Sequence, residues 1–80
     1  METRVACITI IVENVESTAK MNELLHEAGQ YIIGRMGIPY REKGINIISI
    51  AIDAPQDVIA ALSGKIGNLP HISSKTAYSK

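Results

Sequence analysis

From Arg4 to Val12 the chain alternates two sets of side chains, and both sets are mostly apolar. Ala6, Ile8, Ile10 and Val12 share one face; Val5, Cys7, Thr9 and Ile11 share the other. A strand apolar on both sides predicts an interior place in a sheet. Glu13-Asn14 breaks the run. Asn14 reads as a helix N-cap, with Glu16 and Ser17 just inside the start. Over residues 15–28 the apolar positions move to helical spacing, and Thr18, Met21, Leu24, Leu25 and Ala28 form one stripe. Gly29 is expected to close this helix in the left-handed conformation.

Residues 31–53 then read as a β-hairpin whose short polar link, Glu42-Lys43-Gly44, ends in glycine. The first arm carries Gly34, Gly37 and Pro39. Proline cannot donate to a ladder, so this arm is predicted at a sheet edge. The second arm, residues 45–52, is apolar on both faces like the first strand, and is predicted inside the sheet. Asp53-Ala54-Pro55 leads into a second helix, with Pro55 at its first position and Asp57 favouring its positive end. Val58, Ala61, Leu62, Ile66 and Leu69 are expected to form its buried stripe. Gly64 suggests a close approach of this helix to the sheet. Gly67-Asn68 and Pro70 stop it. The last strand, residues 71–78, is polar (Ser73, Ser74, Lys75, Thr76), which suits the other edge.

The order βαββαβ predicts an α+β, ferredoxin-like domain over residues 1–80: a four-stranded antiparallel sheet in the order 4-1-3-2, with both helices on one face. Two helices cover only one side of such a sheet. Ala6, Ile8, Ile10, Ile48, Ile50 and Ile52 are assigned to the helix side, being the larger set. Val5, Cys7, Thr9, Ile11, Ile47, Ser49 and Ala51 then form an open face. A patch on the order of several hundred Å² exceeds what a soluble monomer usually leaves bare. It is therefore expected to be an interface, closed by packing of copies face to face or edge to edge into a homo-oligomer, a dimer or a tetramer.

Composition narrows the function without naming it. Eight basic residues balance eight acidic ones, so no general attraction to nucleic acid is expected. No apolar run approaches the ~20 residues that span a bilayer, and the N-terminus lacks the pattern of a signal peptide. Cys7 is the only cysteine, so no internal disulfide can form. A cytoplasmic location is expected. Cys7, His26 and His71 stand apart, without the close spacing of a metal site, and no metal or cofactor is expected. There is no Ser/His/Asp or Cys/His set and no paired acid at fixed spacing, so the chain does not read as an enzyme. The binding candidates are Glu13 and Asn14, at a loop whose free N–H groups could hold a small polar ligand, and Arg35, available to an anion or a neighbouring chain. Gly34-Arg35-Met36-Gly37 is not a phosphate loop, because it lies within a strand instead of before a helix.

Four stretches carry a family resemblance: Asn22-Glu-Leu-Leu-His-Glu27, Tyr31-Ile-Ile-Gly-Arg-Met-Gly-Ile-Pro-Tyr-Arg-Glu42, Ile47-Ile-Ser-Ile-Ala-Ile-Asp-Ala-Pro55 and Ala61-Leu-Ser-Gly-Lys-Ile-Gly67. Together they resemble the small regulators of the iron-only hydrogenase system. The resemblance implies an ACT-like, ferredoxin-like fold similar to the C-terminal domain of nickel-responsive regulators, which is tetrameric. It does not carry over their metal set, because the corresponding strand here has Arg35 and Gly37 and no His-x-His. Nor does it carry over a DNA-binding arm. What it implies is a non-enzymatic, oligomeric module sensing a small-molecule effector, or else an adaptor that docks on a partner protein.

Overall fold

The computed structural model describes residues 2–80. Its centre is a pair of antiparallel strands, β1 (Arg4–Val12) and β3 (Ile45–Ala54), matched from Arg4 opposite Ala54 to Val12 opposite Asn46. β2 (Ile32–Tyr40) pairs with β3 on one side, and β4 (Ile72–Tyr78) pairs with β1 on the other, giving the order β2-β3-β1-β4. The two strands apolar on both faces are indeed the inner ones, and the Pro39 strand and the polar strand are the edges. Two helices, α1 (Thr18–Glu27) and α2 (Gln56–Gly67), complete an α+β, ferredoxin-like fold.

The core lies between the sheet and the helices. Ala6, Ile8, Ile10 and Val12 of β1 and Ile48, Ile50 and Ile52 of β3 are buried there against Met21, Leu24 and Leu25 of α1 and Ile59, Leu62 and Ile66 of α2. The alternate residues of β1 and β3 stay exposed or half-buried. The period-2 alternation thus sorts one set into a dry layer and leaves the other on the far side of the sheet. Among the described residues, no helix is long and apolar enough to cross a membrane.

Several local expectations are corrected. The first helix starts later, because Val15–Ser17 is a 3-10 turn, and Ser17 is buried with its hydroxyl donating to the Pro70 carbonyl at 2.9 Å. Gly29 is not left-handed; a 3-10 turn over Gly29–Tyr31 carries the chain out of α1. Pro55 is the cap of α2 and not its first residue, with an extended ψ of 143°. The buried stripe of α2 is Ile59, Leu62 and Ile66, while Val58 and Leu69 are half-buried and Ala61 is exposed. Residues 58–62 are apolar on every side of the helix, so spacing alone leaves its rotation undetermined; the larger, stiffer Ile59 takes the inner place. Gly64 faces open space. The close approach to the sheet is at Gly67, where a Cβ would come within 3.1 Å of the Ser74 hydroxyl.

β4 is fastened to α2 by hydroxyl groups. Ser74 Oγ donates to the Ser63 carbonyl at 3.0 Å, and Thr76 Oγ1 donates to Ser63 Oγ at 3.0 Å. The chain end is held as well. Arg4 donates to Gln56 Oε1 and to the Ser79 carbonyl, and its guanidinium lies 4.6 Å from the centre of the Tyr78 ring.

Candidate functional site

The face of the sheet away from the helices is built by register. Directly paired residues of an antiparallel sheet point the same way. The pairing of Ile38 with Ile47 and of Ile47 with Ile11 therefore lays three isoleucines in one row, with Tyr40 and Ile45 beside it. The next row is Met36, Ser49, Thr9 and Lys75, and the one after is Gly34, Ala51, Cys7 and Ala77. One end of the open face is thus apolar and its middle is small and polar. There Cys7 Sγ and Ser49 Oγ lie 3.2 Å apart.

Of the residues expected on this face, Val5, Cys7 and Thr9 are exposed, and Ile11, Ile47, Ser49 and Ala51 are half-buried. Reading β1 and β3 alone missed what β2 contributes. Ile33, Met36, Ile38 and Tyr40 are all exposed large side chains, and Met36, Ile38 and Tyr40 extend the apolar end of the open face. The signal was available in the alternation Gly34, Met36, Ile38, Tyr40.

The loop after β1 is closed by its own neighbours. The Glu13 N–H donates to the His71 carbonyl at 2.8 Å, and the Asn14 side chain accepts the Glu16 N–H at 2.9 Å. His71 is held with a φ of 62°, and its Nε2 is 4.0 Å from a Glu16 carboxylate oxygen. Two of the N–H groups expected to be free for a ligand are therefore occupied. The side chains of Glu13 and Asn14 remain exposed. Beside them, Val15, Pro39, Tyr40, Arg41, Gly44, Ile45 and Asn46 line a shallow cavity of about 180 Å³.

Arg35 is elsewhere. It pairs with Ile50, on the helix side of β2, and donates to Asn22 Oδ1 of α1 at 3.0 Å. The end of β1 lies in the row of Pro39, four residues further along β2, or roughly 13 Å. The fold therefore joins Glu13 and Asn14 in one loop and sets Arg35 apart from it within the chain. Among the described residues, no three His, Cys, Asp or Glu side chains come together as metal ligands would.

Comparison with known proteins places the chain. A family model described as "Iron-only hydrogenase system regulator, putative", the TM1266-like family, matches residues 4–76. The chain belongs to the TM1266-like family. The uncharacterized protein TM1266 from Thermotoga maritima superposes with a TM-score of 0.94 at 36% identity, covering 99% of this chain and 100% of that one. More distant solved structures share the fold alone. A formyltetrahydrofolate deformylase from Pseudomonas putida KT2440 matches at 14% identity and a TM-score of 0.65, over 91% of this chain and 28% of the deformylase. CPII, a nitrogen regulatory PII-like protein from Thiomonas intermedia K12, matches at 15% identity and a TM-score of 0.55 over the full length of both chains. No curated protein matches. The TM1266-like description, a regulator of the iron-only hydrogenase system, agrees with the family read from the sequence.

Proposed function

We propose that this chain is a non-enzymatic regulatory module of the iron-only hydrogenase system, working in the cytoplasm as a homo-oligomer that responds to a small ligand. One observation carries this reading. The apolar row Ile38, Ile47 and Ile11, flanked by Met36, Tyr40 and Ile45, has no covering element among the described residues. Each such side chain contributes on the order of 1.5–3 kcal/mol when fully covered. A second copy offers a matching surface, since no charged residue of β2 or β3 interrupts the patch between Gly34 and Tyr40 or between Ile45 and Ala51 on that face. The ligand would sit by Glu13 and Asn14, in the cavity lined by Val15, Arg41 and Asn46, where a guanidinium, an amide and apolar walls suit a small anion with an apolar part. Binding there acts by favouring one assembly over another. CPII is described as bound to ADP, AMP and bicarbonate; nucleotides and small anions therefore belong in the screen.

A second reading, an adaptor for a protein partner with no ligand, draws support from the loop N–H groups already taken by His71 and Asn14. Native mass measurement combined with a thermal-shift screen tests both. An oligomer stabilised by one class of small molecule fits the sensor. An oligomer stabilised by none, and recovered with a hydrogenase-system protein, fits the adaptor. An 8.7 kDa particle at micromolar concentration rules out self-association.

A further inference from the structure

We propose that the groove between α1 and α2 binds an apolar α-amino acid, with its ammonium on Glu27, its carboxylate on Lys65 and its side chain between the helices. The first support is a gap that the two helices leave. Leu24, Ala28 and Tyr31 line it from α1 and the turn after it; Val58, Ala61 and Leu62 line it from α2. Each set recurs at helical spacing, so each is one stripe turned toward the other helix. An alanine stands on each side, at 28 and at 61, where a longer side chain would close the space. A cavity of about 220 Å³ remains. Ala61 is exposed even though it belongs to an apolar stripe, and nothing among the described residues covers it. Pockets for drug-sized ligands hold roughly 300–1,000 Å³. This smaller space suits a single apolar side chain resting on Leu24 and Leu62, which are part of the core.

The second support is charge. Glu27 and Lys65 line this cavity and also the next one along the groove, a space of about 430 Å³ that includes Asn68 and Leu69. The two charges therefore stand at the junction of the two spaces. They come from opposite helices, yet they form no ion pair with each other, and neither has an ion-pair partner among the described residues. Lys20, in the same groove, is already paired with Glu23 at 3.8 Å. An anion alone would meet Glu27 at like charge, and a cation alone would meet Lys65. A ligand carrying both charges satisfies both groups through charge-assisted hydrogen bonds.

The third support is layout. Because Glu27 and Lys65 sit together at one end of the apolar cavity, the ligand's two charges are adjacent and its apolar body extends to one side. That is the shape of an α-amino acid, and it excludes a chain with its charges at opposite ends. Asn68 adds an amide that donates toward the carboxylate side. No strand residue lines either cavity, so the groove stays open when the apolar face of the sheet is covered. It shares no residue with the cavity beside Glu13 and Asn14 and is a separate site from the one in the proposed function.

Calorimetric titration of the full chain tests each contact. The probes are L-leucine and three relatives: isocaproate lacks the amine, isopentylamine lacks the carboxylate, and glycine lacks the apolar body. The expected result is saturable binding of L-leucine, with each relative at least about tenfold weaker. Glu27→Gln and Lys65→Gln should each weaken leucine binding at least about tenfold, and Ala61→Leu, which fills the cavity, should abolish it. All three positions are exposed, so these variants keep the fold. Isocaproate or isopentylamine binding as tightly as leucine overturns the paired charges, and glycine binding as tightly overturns the apolar cavity. Leucine binding that survives Ala61→Leu but is lost in Arg41→Gln belongs to the cavity beside Glu13 and Asn14 and overturns this site. No saturable binding of leucine, valine or methionine overturns the inference outright and leaves the proposed function standing, because that reading uses other residues.

Discussion

The two edges of the sheet are finished in opposite ways. β4 is completed inside its own chain. Its helix-side residues Ser74 and Thr76 are bonded to Ser63 of α2, and its end is held by Arg4 through Ser79 and Tyr78. Its outward residues Ser73 and Lys75 are polar and discourage further strand addition. β2 carries Ile33, Met36, Ile38 and Tyr40 exposed, and its helix-side positions Arg35, Gly37 and Pro39 are exposed too. A long apolar edge left bare is a template for association. The contrast is between an edge bonded to its own helix and an edge that leaves large apolar side chains exposed, which the proposed self-association would cover.

The sharpest way to break this comparison is to truncate one isoleucine on each strand of the β2–β3 pair. Ile50 is fully buried, so Ile50→Ala is expected to cost about 2–5 kcal/mol in urea unfolding, at any protein concentration. Ile38 is 46% exposed, and Ile38→Ala should cost less than about 0.5 kcal/mol in the monomer. Its effect should appear only where the unfolding midpoint depends on protein concentration, which is the signature of assembly. An Ile38→Ala cost as large as that of Ile50→Ala, and independent of concentration, would place Ile38 in the core and remove the contrast.

A charge sharpens the comparison further. Ile38→Lys is expected to weaken self-association at least about 100-fold, about 2.7 kcal/mol, because it desolvates an unpaired ammonium at the β2 end of the apolar row. Lys75→Ala, on the opposite edge, should leave association unchanged. Sedimentation equilibrium measures both. Equal loss from the two variants would show that assembly does not distinguish the edges.

On the β4 side, Ser74→Ala and Thr76→Val each remove one donor to Ser63, and each is expected to cost about 1 kcal/mol by chemical denaturation. Because both bonds end on one serine, the double variant should cost less than the sum. Strict additivity would mean that the two hydroxyls hold β4 independently.

How much of this could be read from residues alone follows the same division. The inner strands were legible because Ile8, Ile10, Ile48, Ile50 and Ile52 alternate with a second apolar set, and Pro39 marked its strand as an edge. The face of α2 was not legible, since Val58, Ile59, Ala61 and Leu62 surround the helix and only packing chooses among them. The role of Gly67 was hidden because it depends on Ser74, a residue of the next strand. The closure of the loop after β1 was hidden too: its decisive acceptor is the carbonyl of His71, distant in sequence and aimed by a left-handed backbone that histidine does not advertise. The contribution of β2 to the open face was present in its alternation, but becomes visible only once the strand is set in register with β3.

The smallest expected effects concern how each edge strand is joined to the rest. Gly44, at the end of β2's hairpin, and His71, at the start of β4, are the residues with positive φ among those described, at 65° and 62°. Gly44→Ala should destabilise by about 1 kcal/mol, since an added Cβ meets open space but must adopt a left-handed backbone. For His71→Gly two effects oppose each other. Relief of the same strain favours the variant by about 1 kcal/mol. The extra freedom of glycine in the unfolded chain takes back roughly 0.5–1 kcal/mol, and the exposed Glu16 contact adds little. The net change should stay within about 0.5 kcal/mol, with the Glu13 N–H still held by the carbonyl at position 71 and protected from hydrogen exchange. A large loss of stability with loss of that protection would mean that the imidazole itself, and not the backbone turn, fastens β4 to the candidate ligand loop.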